Sequence, residues 1–286
     1  MQATVEQEIE RFLHTGERDM LSAAWPGNGL FEQARQSNAA LRHALISAVR
    51  SRTRHATVPD GFDIRNLVNR TRMKVEPMVR GLLPQHEHAI MLDVLARSVI
   101  YLTPVNIETV INSVIDLRTA WQLANLYLTS CDARPLSAEA PQIIGFSEAT
   151  TCYVSMQYFH GGGRFDDVVV HEAAHVFHNC KRERIGLTAT RRREWPLEID
   201  FRMREPFAYA CEALSRIYEL GDSPQARRAL LAEVEAGPMP SDDRVDPAEF
   251  IDILRDAVTA RNGWKRILQR CAPRSNRSTR QAIGIA

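Results

Sequence analysis

Val168-Val169-Val170-His171-Glu172-Ala173-Ala174-His175-Val176-Phe177 is the stretch on which the reading of this chain turns. Asp166 or Asp167 just before it can cap a helix, and the apolar character running to about residue 180 suits a helix buried on most sides. Four residues make a little over one helical turn, so His171 and His175 leave the helix from one face. Two imidazoles so placed can chelate one metal ion, and Glu172, one position on, is aimed beside that ion rather than at it. Apart from the His and Glu of HExxH itself, no residue between Val168 and Phe177 is charged. A chance occurrence on a solvated helix would carry Lys, Arg or Asp nearby, so two packed core histidines with a hydrogen-bonded Glu is the weaker reading.

A catalytic zinc needs a third protein ligand and an open position for water. Downstream runs Arg204-Glu205-Pro206-Phe207-Ala208-Tyr209-Ala210-Cys211-Glu212-Ala213-Leu214, the start of a helical pattern over 206–220 that Gly221 closes. Glu205 completes the spacing HExxH-x29-E. This pattern resembles the gluzincin class of zinc metallopeptidases, in which a Glu on a second helix completes the site. The E-x-F-A-x-A segment is similar to the third-ligand helix of lethal-factor-like and related bacterial and phage zincins. The resemblance covers about residues 150–220. It implies a zincin-like catalytic domain, Zn2+ held by His171, His175 and Glu205, Glu172 as general base, and a peptide or protein as substrate.

Other assignments stay open. Glu205 precedes Pro206 and so falls at the very start of its helix, whereas Glu212, seven residues on, shares about the same face and is the rival ligand. Glu194, Glu198 and Asp200 are more distant alternatives. The longer pattern HExxHxxGxxH is absent, because His178 stands at its Gly position and Lys181 at its last His. His178 therefore reads as a supporting or packing residue. Tyr209, one turn beyond Glu205, is the candidate to stabilise an oxyanion, although a Tyr so placed is more often core. Tyr153, Tyr158 and His160 are candidates for the same role.

Outward from the motif, 143–146 and 151–156 read as short strands. The second is expected to be an edge strand beside the motif helix, where an extended peptide could pair with it, or else an ordinary sheet strand. Gly161-Gly162-Gly163 reads as a turn. The first third reads as helices over 5–13, 30–49 and 62–83, the last kinked or split at Pro77. A helix passing into a strand is expected over 92–102, and further helices over 106–130, 223–235 and 246–271. A loose basic tail follows. The expectation is an α+β, mostly helical protein with a small mixed sheet: a helical region, 1–135, before a zincin-like domain, 136–286.

Composition narrows the function classes. Lys plus Arg number 36 against 35 Asp plus Glu, a formal net charge of +1, so no bulk basic field for nucleic acid or an anionic membrane is present. The apolar runs are too short for a transmembrane helix, and MQATVEQEIERF lacks the features of a signal peptide. Five widely spaced cysteines without a CxxC pair suit a reduced, cytoplasmic protein. The basic run 181–204 reads as a solvated loop, and His86-Glu87-His88 as surface. Two alternatives to a housekeeping peptidase remain: a regulatory or binding protein that keeps the zincin fold without catalysis, and a delivered toxin or effector protease. The intact Glu172 argues against the first.

Overall fold

Short polar side chains decide where most of the helices begin. Thr4, Asp116, Asp167, Ser223, Asp246 and Asn262 each accept a backbone N–H from the first turn that follows. Each thereby satisfies one of the donors a helix leaves unpaired at its N-terminus. The computed structural model describes residues 3–57, 64–140, 145–148, 150–160, 163–189 and 193–273. Over these residues the chain is α+β and mostly helical, with α1 (Val5–Thr15), α2 (Leu30–Arg52), α3 (Ile64–Leu82), α4 (Gln85–Ser98), β1 (Val99–Leu102), α5 (Ile107–Ser113) and α6 (Leu117–Ser130) in its first half. Then come β2 (Gly145–Glu148), β3 (Thr151–Ser155), α7 (Val168–Asn179), α8 (Arg204–Leu220), α9 (Pro224–Ala236), α10 (Pro247–Thr259) and α11 (Gly263–Cys271). No helix among the described residues is long and apolar enough to cross a membrane.

Several expectations are corrected by these caps. The helix expected over 106–130 is two, because Val114 leaves the helical region and Asp116 starts α6 afresh. The helix expected over 246–271 is likewise broken after Thr259 and restarted by Asn262. Pro77, by contrast, neither splits α3 nor ends it. It removes one backbone hydrogen bond, and packing of α3 against α4, α7 and α11 outweighs that local cost. The helix passing into a strand at Ser98–Val99 is as expected. Residues 143–144, the first two glycines of the triplet at 161–163 and the basic tail beyond 273 lie outside the described residues.

The strands form one sheet in the order β1-β3-β2. β3 therefore has a neighbour on both sides, which corrects the expectation of an edge strand over 151–156; β1 and β2 hold the edges. Met156–His160 is a 3-10 turn rather than a continuation of β3.

Two units make up the chain, and neither is continuous in sequence. The first comprises Met1–Phe62, Tyr101–Phe146 and Tyr153–Gly161. Its core is the stripe Leu41, Leu45 and Val49 of α2 together with Leu117, Leu123, Leu126 and Tyr127 of α6. The Arg42 guanidinium caps the end of α5, donating to the carbonyls of Val114 (2.7 Å) and Ile115 (3.0 Å). The second unit comprises Asp63–Ile100, Ser147–Cys152 and Gly162–Ala286, so α3 and α4 belong with α7–α11 and not with the helices before them. The division thus differs from the single cut expected near 135. In this unit α8 is central, packing on α7, α9, α10 and α11. At Gly81 of α3 the Trp264 ring of α11 lies so near that a Cβ would come within 2.3 Å of Cδ1. All five cysteines are free.

Candidate metal centre

The motif helix α7 is held at both ends of its first turns. Asp167 caps it through Oδ1 on the Val170 N–H, while Oδ2 accepts from Lys74 Nζ of α3 at 3.0 Å. Val169, Val170, Ala173, Ala174, Val176 and Phe177 are fully buried, which fixes the roll of the helix. Cys152 of β3 adds a bond from Sγ to the Glu172 carbonyl, 3.3 Å. The uncharged residues around HExxH thus pack, as the sequence reading expects.

His171, His175 and Glu205 converge. Their ligand-capable atoms lie within 4.8 Å of one another. The two Nε2 atoms are 3.3 Å apart, and Glu205 Oε2 is 3.7 Å from His171 Nε2 and 3.5 Å from His175 Nε2. α8 begins at Arg204, two residues earlier than expected, so Glu205 stands in its first turn. Pro206 follows where a helix N–H has no partner to lose.

The far side of each imidazole is also occupied. Glu212 Oε2 is 3.0 Å from His171 Nδ1, and Glu212 Oε1 accepts the Asp167 N–H at 2.7 Å. The rival ligand of the sequence reading therefore stands behind His171 and ties it to the cap of α7. His178 does the same for His175, its Nε2 lying 3.2 Å from His175 Nδ1. With each Nδ1 engaged as a donor, each Nε2 is turned to the shared point, where its lone pair serves a metal once the ring is neutral, the arrangement that orients metal-binding histidines. His178 Nδ1 is then the protonated nitrogen of its ring, and it is buried without a partner among the described residues.

Burial opposes charge on His171, yet the carboxylates of Glu205, Glu212 and Glu172 prevail and its pKa is pushed up to about 10. Burial also works against ionised Glu205, but the two imidazoles win and hold its carboxyl below the usual range. Glu172 goes the other way: burial raises it, against the pull of His171, His175 and a hydrogen bond from Ser147 of β2. His178 is pushed down to about 3, first by burial and then by His175 and Arg204, so it stays neutral.

Tyr209 sits with its ring edge against His171, centroids 4.4 Å apart. Burial, then the charges of Glu212, Asp242 and Glu205, push its hydroxyl up to about 12, so it keeps its proton. Among the other sequence candidates, Tyr153 is buried in β3 and Tyr158 lies in tilted ring contact with Tyr101. The side chain of His160 and residues Arg191 and Arg192 lie outside the described part. Glu194 pairs with Lys181 at 2.5 Å, and Asp200 caps a short 3-10 turn.

Arg182, expected in a solvated loop, is buried and paired with Glu87, which was expected at the surface. Its Nη1 reaches Glu87 Oε2 at 3.3 Å and its Nε donates to the Thr188 carbonyl at 2.8 Å. This pair fastens the segment after α7 to α4. Ser147, Asp242 and Arg244 were not anticipated. Each lies far from the motif in sequence and belongs to no recognisable pattern. Arg244 Nη1 is 3.0 Å from Glu205 Oε1.

No family model, curated protein or solved structure matches the chain.

Proposed function

We infer that this chain is a gluzincin-type, zincin-like metallopeptidase that hydrolyses peptide bonds with a zinc-activated water. The observation that carries the reading is the triangle of His171 Nε2, His175 Nε2 and Glu205 Oε2, with edges of 3.3, 3.5 and 3.7 Å. Tetrahedral zinc with ligands at about 2.0–2.1 Å puts neighbouring ligand atoms about 3.3–3.4 Å apart. The donor set fits as well: two imidazoles and one carboxylate leave the fourth position of a catalytic site free. Bound there, zinc would polarise a carbonyl and lower the pKa of water to about 7.

The chain's own groups supply the rest. Glu172, raised by burial and within reach of the imidazole pair's field, is suited to take a proton from water and pass it to the leaving amine. The protonated Tyr209 hydroxyl is suited to donate to a developing oxyanion. Glu212 and His178 keep the two ligand rings in place. Five free cysteines support a reducing, cytoplasmic setting.

Elemental analysis of purified protein, beside digestion of a mixed peptide library, tests this. Wild type is expected to carry about one zinc per chain and to cleave peptides; Glu172→Gln should keep the zinc and lose about 10²–10⁴-fold in turnover. Zinc without cleavage of any peptide would favour the non-catalytic reading. Glu172→Gln with full activity would remove Glu172 from its role.

A further inference from the structure

The two oxygens of Glu205 have different neighbours. Oε2 faces the imidazoles, whereas Oε1 lies 3.0 Å from Arg244 Nη1. Arg244 comes from the segment between α9 and α10, and it is fixed before it reaches Glu205. Asp242 receives it in a fork, Nε to Oδ1 at 2.9 Å and Nη2 to Oδ2 at 2.6 Å, and also accepts the Arg244 backbone N–H at 2.8 Å. The next residue, Val245, is buried and donates its N–H to the Asp242 carbonyl at 2.9 Å. A planar guanidinium held on one edge in this way has little freedom left, so Nη1 and its charge are kept in one place beside Glu205 Oε1.

A carboxylate can bind a metal through one oxygen or through both. With both, Glu205 would add a second oxygen to the two imidazoles and crowd the position that water needs. The geometry points to Arg244 as a positioning residue that occupies Oε1 and holds Glu205 to ligation through Oε2 alone, which keeps a bound metal four-coordinate with one site for water. This inference rests on the metal-site reading above. Arg244 lies between two carboxylates, Glu205 and Asp242, so its charge is already matched and its role is directed inward, toward Glu205. Its side chain is 67% exposed, so replacing it removes this contact without opening the core.

Cobalt(II) reports the coordination number directly, because its visible absorption is intense in a four-coordinate site and weak at higher coordination. The full chain loaded with cobalt is compared with Arg244→Leu and Arg244→Lys, each confirmed as folded by circular dichroism. Wild type is expected to show the intense band. Arg244→Leu should bind one cobalt with a band severalfold weaker, and Arg244→Lys, which keeps the positive charge but cannot form the two-point fork with Asp242, should recover only part of it. An unchanged band in Arg244→Leu overturns the inference and leaves the metal site standing. A wild-type chain that takes up no cobalt overturns both.

Discussion

Glu212 reaches the metal centre only through His171, yet two bonds depend on it. It accepts from His171 Nδ1 at 3.0 Å and from the Asp167 N–H at 2.7 Å. Removing such a partner of a ligand imidazole weakens metal affinity by about 10–100-fold. Glu212→Ala is therefore expected to bind zinc in that weakened range while Glu205→Ala loses it more fully; competition with a chromophoric chelator measures both. Equal losses would make Glu212 a ligand. The state of His171 gives a second prediction. With a pKa near 10 it carries a proton at neutral pH, and zinc needs the neutral ring. Binding must then expel that proton, so affinity rises with pH, up to tenfold per unit, until about pH 10 is approached. Calorimetry in buffers of different ionisation enthalpy should show release of at least one proton per zinc at pH 7, the imidazolium proton and about half a proton from the bound water, and release of half a proton or less would refute the protonated state. In the metal-free protein the sign is reversed: the raised pKa stabilises the fold fully below about 6.5, and that contribution fades as pH rises through about 10. His171, Glu172 and His175 were legible because one helical turn carries them all. Ser147, Asp242 and Arg244 were not, since nothing local marks a residue whose meaning lies in a partner on another element.

The motif helix was predictable because its cap, its apolar faces and its ligands agree with one another. Elsewhere a single strong local signal misled. Pro77 suggested a break, but α3 runs through it because three other helices cover its length. Asp116 and Asn262 were overlooked as caps inside apolar periodicity, and each divides what reads as one long helix. The contact between α3 and α11 is testable at one atom. Gly81 has no side chain where the Trp264 ring lies, and a Cβ there would meet Cδ1 at 2.3 Å, Cγ at 2.5 Å and Cβ at 2.6 Å. Overpacking of this kind costs about 1–3 kcal/mol. Gly81→Ala should lower the denaturant midpoint without changing the slope, and Gly81→Ala combined with Trp264→Phe should recover part of the loss. An unaltered midpoint would mean that the two helices separate easily.

The unit that carries the metal centre is assembled from 63–100, 147–152 and 162–286, with the other unit's segments between them. A shift in composition near residue 135 cannot reveal this, because α3 and α4 are as helical as their neighbours and differ only in what they pack against. Residues 136–286 expressed alone lack α3, the source of Lys74 on Asp167 and of Gly81 under Trp264. That fragment is expected to lack a cooperative unfolding transition, and to regain one when residues 63–100 are supplied as a second polypeptide. A cooperative melt of the fragment alone would show that α3 is dispensable. The hydrogen bond from Asn262 Nδ2 to the Gly81 carbonyl, 3.0 Å long, spans 181 positions of sequence. On a ribosome adding about 5–20 residues per second, the first of those residues emerges about 10–40 s before the second. For that interval the part of α3 that meets α11 waits without its cover, although α4 follows within seconds, so that strip is where a chaperone would hold the chain during synthesis.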